Sequence, residues 1–200
     1  MAGRVFPWIA AALPDWKLVM SNADDRALVD ACLEGDKASF DVLVERHRRQ
    51  VYFVCYRFVG NHDDASDLAQ DAFIRAYRTL HTFKGKSAFG TWLYRVTVNT
   101  CLNRVSARHL PTEPLEAGDH EDTGSEPADH TVLRHERAAE VRAAIARLPK
   151  KQRATMILRM YHELPHEQIA AILGSTVGAT KANFFHALAN LKKLLQERGR

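Results

Sequence analysis

Apolar residues recur at spacings of three and four along most of the chain, and alternating β-branched runs are scarce. That is the periodicity of amphipathic helices rather than strands, and it predicts an all-α protein. Asp24 to Glu34 reads as a first helix. Ser39 to Val59 reads as a second, with Phe40, Leu43, Val44, Val51, Val54, Cys55 and Phe58 on one stripe. After the turn Gly60-Asn61-His62-Asp63, either Asp63 or Asp64 is suited to cap a helix running through Leu68, Phe73 and Tyr77. A loop from Phe83 to Gly90 follows, and Thr91 is expected to cap a helix reaching about Arg108.

The pattern fails over Pro111 to His130, PTEPLEAGDHEDTGSEPADH, which holds three prolines, two glycines and seven acids but one large aliphatic side chain, Leu115. Such a segment buries too little apolar area to offset the ordering of its backbone. It predicts a flexible acidic linker, 111–130, between two small helical domains, 20–110 and 131–200. Residues 1–19 precede Met20, a plausible start of translation, and are expected to be a disordered or mis-assigned extension. Beyond the linker, helices are expected from Val132 to Arg147, from the Leu148-Pro149 break to about His162, and as a pair meeting at Leu173 to Gly178.

Charge sharpens this division. Residues 20 to 71 hold six Lys/Arg against eleven Asp/Glu, whereas residues 72 to 110 hold seven Lys/Arg and no acid. Residues 131 to 200 hold thirteen basic side chains against five acidic ones. Solvated helix faces usually mix the signs, so two basic segments split by an acidic connector point to a polyanionic partner. No run of about 18 apolar residues occurs, so no membrane span is predicted. Cys32, Cys55 and Cys101 lie more than twenty residues apart, without a CxxC spacing, and read as reduced, buried or partly buried thiols in a cytoplasmic protein.

His162-Glu163-Leu164-Pro165-His166 matches the HExxH pattern of zinc hydrolases letter for letter. That chemistry needs both histidines on one face of a continuous helix. Pro165 lies between them, cannot donate a helical hydrogen bond and pushes Leu164 out of helical conformation. A helix is therefore expected to end before Pro165 and a new one to begin there, and no metal site is assigned.

The stretch after it, HEQIAAILGSTVGATKANFFHALANLKKLL, reads as a short helix, a turn and a longer helix. Gly174 suits a left-handed turn and Thr176 an N-cap, with Thr180, Phe184, Leu188, Leu191 and Leu195 expected on the buried side. This is the helix-turn-helix arrangement, whose second helix enters the major groove. The run from LPKKQRATMILRMYHELPHEQIAAILG to ANLKKL resembles region 4 of bacterial extracytoplasmic-function sigma factors. The run from FDVLVERHRRQVYFVCYRFVG through DLAQDAFIRAYR and FKGKSAFGTWLYRVTVNTCLNR resembles region 2 of the same family. Together the two cover about Leu28 to Leu195.

The resemblance implies a promoter-specificity subunit with no catalytic residue, metal or cofactor. Asp67, Gln70, Asp71 and Phe73 would contact the clamp of the largest subunit of RNA polymerase core enzyme, and region 4 the flap of the second largest. Phe83, Lys84, Lys86, Ser87 and Phe89 would hold melted minus-10 DNA by stacking and phosphate attraction. Core packing is the competing role for Phe89 and the favoured one for Trp92. Arg95, Asn99, Asn103 and Arg104 would read the same element. Thr176, Thr180, Lys181, Asn183, Phe185 and His186 would bind the minus-35 element, the two threonines near phosphates. Relatives often carry arginines where this chain has Asn183, His186 and Leu188, which should lower the salt dependence of binding. An anti-sigma factor is an expected partner, able to hold the protein at the membrane without insertion. The alternative is a stand-alone helix-turn-helix regulator, which would have no need of the DLAQDAFIRAYR helix and the aromatic basic loop.

Overall fold

The computed structural model describes residues 23–108 and 138–198. The extension 1–19 and the linker 111–130 lie outside them. Among the described residues there are helices and turns but no strand.

The first half is built from α1 (Ala23–Leu33), α2 (Lys37–Val59), α3 (His62–Thr79) and α4 (Phe89–Arg108), with a single 3₁₀ turn at Leu80–Thr82. Local chemistry sets the boundaries. Asp36 caps α2 by accepting from the Ala38 amide at 3.0 Å, and Gly60 ends it with φ of 83°, a conformation only glycine adopts without strain. Asn61, not Asp63 or Asp64, caps α3, accepting from the Asp64 amide at 2.8 Å. Starting at Phe89, α4 begins two residues before the expected Thr91 cap. Alanines 65, 69, 72 and 76 on the inner face of α3 let it lie close against α2 and α4.

In the second half a helix over 138–146, α5, leads to α6 (Lys150–Met160), α7 (His166–Leu173) and α8 (Val177–Arg198). Pro149 and Pro165 stand immediately before α6 and α7, where a proline's missing N–H costs nothing. The expected break inside HELPH is present: His162 lies beyond the end of α6, His166 opens α7, and Glu163 between them has φ of 51°. Gly174 closes α7 with φ of 59°, and Thr176 caps α8 by accepting from the Ala179 amide at 3.1 Å. Leu188 departs from expectation. It is exposed, because the buried stripe of α8 runs through Thr180, Ala187 and Leu191 instead.

The two halves share one buried apolar cluster, in which Val54, Phe58 and Leu93 of the first join Met156, Ile157, Leu164 and Ile169 of the second. The seam is formed by α6 against α2 and by α7 against α4.

Candidate nucleic-acid interface

Three surfaces carry the residues singled out from the sequence. On α3, Asp67, Gln70 and Asp71 are exposed on a face that continues one and two turns on into Ile74 and Tyr77, 48% and 43% exposed. Spacings of three, four and seven put these side chains on one side of a helix. Phe73 is partly buried and packs against the core, so it supports this face more than it presents itself. Ile74 was not legible as an exposed residue, since an isoleucine in an apolar period reads as interior.

The second surface comprises the 83–88 loop and α4. Lys84, Lys86 and Ser87 are exposed, and Lys84 Nζ donates to the His81 carbonyl at 3.1 Å. Phe83 departs from the expected stacking face, and Phe89 takes the core-packing role that was its alternative: both are buried, and their rings form an aromatic cluster with Trp92, with centroids 5.7 to 5.8 Å apart. Neither offers a free face for a nucleobase, because the loop folds its aromatics inward and leaves its cations outside. Phe89 packs edge-on to His47 at 5.4 Å. Through His47 the loop is coupled to the buried carboxylate of Asp25 on α1. A second tie comes from Arg26, whose guanidinium lies so close to Gly85 that a Cβ there would meet Nη1 at 1.6 Å. Gly85 has φ of 67°, and it is this backbone conformation that favours glycine, since the exposed Arg26 guanidinium could swing away from a Cβ.

Along α4, Arg95, Asn99 and Asn103 form an exposed row at intervals of four, opposite buried Leu93, Tyr94, Val98 and Cys101. Arg104 lies beside that row, 3.9 Å from Asp64 Oδ1. Arg95 donates to the Ala171 carbonyl of α7. Cys101 faces Cys55 across the α2 to α4 contact, sulfur to sulfur at 3.7 Å, and that hydrogen bond together with burial pushes the Cys101 thiol well above its ordinary range.

The third surface is the start of α8. Lys181, Phe185 and His186 are exposed, Phe185 by 71%, and Asn183 is half-buried. Thr176 is exposed at the cap. Thr180 is the second correction: it is fully buried, donates to the Thr176 carbonyl at 3.0 Å and lies 2.9 Å from Ser175 Oγ. It braces the turn from within and cannot reach a phosphate. His166, at the N-terminus of α7, stacks edge-on to Phe184 at 5.7 Å. Burial lowers its pKa, as do Arg159 and Lys181 nearby. These neighbours mark a basic field where the two helices of the pair meet, suited to an anionic backbone.

Residues at the seam escaped the sequence reading. Arg153 is buried, with Nη1 3.3 Å from the Ala146 carbonyl and Nη2 donating to the Phe58 carbonyl. A buried arginine has no local sequence signal; only its place in LPKKQR, inside a recognisable run, could have drawn notice.

Comparison with known proteins agrees with this division. The family description Sigma-70 region 2 matches residues 43–109, and Sigma-70, region 4 matches residues 138–191. The chain is 36% identical to the RNA polymerase sigma-H factor of Pseudomonas aeruginosa over 187 residues, covering 89% of this chain and 97% of that protein. It is also 36% identical to the ECF RNA polymerase sigma-E factor of Escherichia coli strain K12 over 172 residues, covering 82% and 90%. Two solved structures share the fold. CnrH in complex with the cytosolic domain of CnrY has a TM-score of 0.61 at 24% identity, covering 86% of this chain and 97% of that one. The Bartonella quintana sigma factor RpoE in complex with the anti-sigma factor NepR has a TM-score of 0.59 at 21% identity, covering 78% and 96%.

Proposed function

The chain belongs to the extracytoplasmic-function sigma factors of the sigma-70 family, and on that premise we propose how its surfaces divide the work of bringing RNA polymerase core enzyme to a promoter. The observation that supports the division is the opposite chemistry of two successive helices, the exposed acids Asp63, Asp67 and Asp71 over the first turns of α3 and an acid-free, amide and guanidinium row on α4. Like charge keeps Asp67 and Asp71 off DNA and leaves them to orient a protein partner, the polymerase clamp. Ile74 and Tyr77 extend that face with apolar area of the kind a protein contact buries.

Asn99 and Asn103 present amides that can pair with base edges of the minus-10 element, with Arg104, Lys84 and Lys86 near its phosphates and Ser87 offering a hydroxyl. The buried Phe83, Phe89 and Trp92 set the shape of the loop. On α8, Lys181, Asn183, Phe185 and His186 face the minus-35 element, with Thr176 at the helix start. The recognition helix has one lysine and no arginine between Thr176 and Asn190. Few phosphate contacts there shift the binding free energy towards region 2 and polymerase tethering. The domain limits 20–110, 111–130 and 131–200 fit this plan.

Family members are not enzymes, and we assign no catalytic residue to this chain. An anti-sigma factor is the expected inhibitory partner, and a cytoplasmic location follows from the partners proposed. No described helix is long and apolar enough to cross a membrane. Run-off transcription with purified core polymerase and genomic promoter fragments tests the proposal. A promoter-specific transcript that depends on the added protein is expected. Operator binding by the protein alone, with no such transcript, would instead mark a stand-alone regulator.

A further inference from the structure

The buried stripe of α2 runs through Leu43, Val51, Val54, Cys55 and Phe58. The helical period turns Arg49, Tyr52, Phe53 and Tyr56 away from that stripe, onto the outer side of the helix. Three aromatic rings in five residues on an outer face are out of keeping with a solvated helix surface. Arg49 is exposed there, and the three rings are half-buried.

These side chains meet one another. The Arg49 guanidinium lies 5.7 Å over the Phe53 ring, whose centroid is 5.8 Å from that of Tyr52. His62, the exposed first residue of α3, stacks on Tyr56 at 4.8 Å and more loosely on Tyr52 at 6.3 Å. Its Nδ1 shares a hydrogen bond with the Tyr52 hydroxyl. Arg57 follows, 5.9 Å from the Tyr56 ring. Four rings thus run in a row between two guanidinium groups. The row is distinct from the clamp face of α3, because His62 stands five residues before Asp67, or about 140° around the helix at 3.6 residues per turn.

Charge favours an anionic occupant. Glu45, one turn before Arg49, is taken by Arg48 at 2.8 Å. Among the described residues no carboxylate pairs with Arg49, Arg57 or Arg142. Burial lowers the Arg57 pKa, and the like charge of Arg142 on α5 adds to the effect, so the end of the row lies in a positive field. Asp63 opposes it, its charge reaching Tyr52.

We propose that the outer face of α2, with His62, is a stacking platform for single-stranded DNA, separate from the minus-10 row on α4. Every base offers a π face and every nucleotide a phosphate, so rings flanked by guanidinium groups hold a strand without reading its sequence. Tyrosine and arginine also anchor protein interfaces, but a row closed at both ends by cations without carboxylate partners fits a polyanion better. The choice of DNA rests on the sigma-factor reading, since promoter melting supplies an unpaired strand beside region 2.

Fluorescence anisotropy of the full chain with a labelled oligothymidylate of about 12 nucleotides at low salt tests this. Phe53→Ala should weaken binding about tenfold, and Phe53→Trp should restore it. Arg49→Ala should lower the slope of log affinity against log salt by about 0.7 unit. With 5-iodouracil in place of thymine, irradiation should attach the strand to the tryptic peptide Gln50–Arg57. Unchanged affinity of a Phe53→Ala variant with intact helical circular dichroism would overturn the proposal. If that variant loses helicity, the wild-type crosslink decides, and label confined to α4 or α8 would overturn it. So would tighter binding of an oligouridylate of the same length, or protection of Gln50–Arg57 from hydrogen exchange by core polymerase alone, which would mark a protein contact. Oligothymidylate held at this peptide by a chain that directs no run-off transcript would remove the sigma-factor reading and leave the platform standing.

Discussion

His47 Nε2 lies 2.8 Å from Asp25 Oδ2, with both side chains 2% exposed, and the pair joins α1 to α2 directly beneath Phe89. Arg46 Nη1 reaches the other carboxylate oxygen at 3.0 Å. Removing one member of a buried pair leaves the other uncompensated, so Asp25→Ala should lower unfolding stability by about 3 kcal/mol in urea titration. Burial alone would raise the Asp25 pKa, but the hydrogen bonds and charges of His47 and Arg46 bring it below the ordinary carboxylate value. The contribution is therefore complete above the unfolded carboxylate pKa and disappears as pH falls through the lowered folded value. Asp25→Asn should flatten the acid limb of stability against pH.

His162 behaves in the opposite chemical sense but with the same direction in pH. Burial, and the charge of Arg57, hold its pKa down at about 4, with the neutral Tyr94 hydroxyl on its other side. The packed state thus prefers neutral imidazole, and its advantage is whole above pH 6.5 and lost as pH falls towards 4. The loss should total about 3 kcal/mol over that window. As pH falls from 6.5 towards 4, wild type should lose stability relative to His162→Phe in thermal unfolding, and parallel curves would contradict the assignment.

Phe89→Ala separates a core role from a base-stacking one. With Phe89 buried among His47, Phe83 and Trp92, truncation should cost about 3 to 4 kcal/mol of stability. A variant of unchanged stability that failed only to melt promoters would restore the stacking role.

Asn99→Ala and Lys181→Ala should spare core polymerase binding and impair promoter use. Loss of a paired base contact at Asn99 should lower promoter occupancy about tenfold, within the usual ~1 to 3 kcal/mol for such pairs. For Lys181→Ala the slope of log affinity against log salt should fall by about one unit, measured in holoenzyme binding to promoter fragments.

Asp67→Lys with Asp71→Lys should do the reverse, weakening the complex with core enzyme in a pull-down or titration. Because both side chains are exposed, stability should move by less than about 0.5 kcal/mol.

Helix periodicity, proline positions and capping residues made most of the fold readable before any coordinates. Pro165 and Gly174 illustrate why, since each acts through its own backbone geometry and needs no distant neighbour. Asn61 shows the limit. Asn61, Asp63 and Asp64 all stand in one short run, and only the path of the chain decides which side chain meets a free amide. The exposure of Lys181 and Asn99 was legible from their polarity within the helical period. Phe83 reads as a stacking face and is buried, Phe89 reads as either core or stacking and packs in the core, and Thr180, expected on the buried side, is too enclosed by Ser175 and Thr176 for the phosphate contact also expected of it. An aromatic side chain serves interior and surface equally, and its direction can depend on a partner far along the chain. For Phe89 that partner is His47, 42 positions away; for Arg153 it is the carbonyl of Phe58, separated by 95.

All three thiols of the chain are interior, and two of them, Cys55 and Cys101, meet where α2 touches α4. Cys55 and Cys101 are wholly enclosed, whereas Cys32 keeps a small exposed area, so the rate at which a maleimide or similar electrophile modifies Cys55 and Cys101 measures how often the first half comes apart. The protein carries its own unfolding clock, readable by mass spectrometry in any mixture with DNA, polymerase or inhibitor, without an added label. Single cysteines placed on the outer faces of α3 or α8 can then be modified selectively on the fast side of that clock.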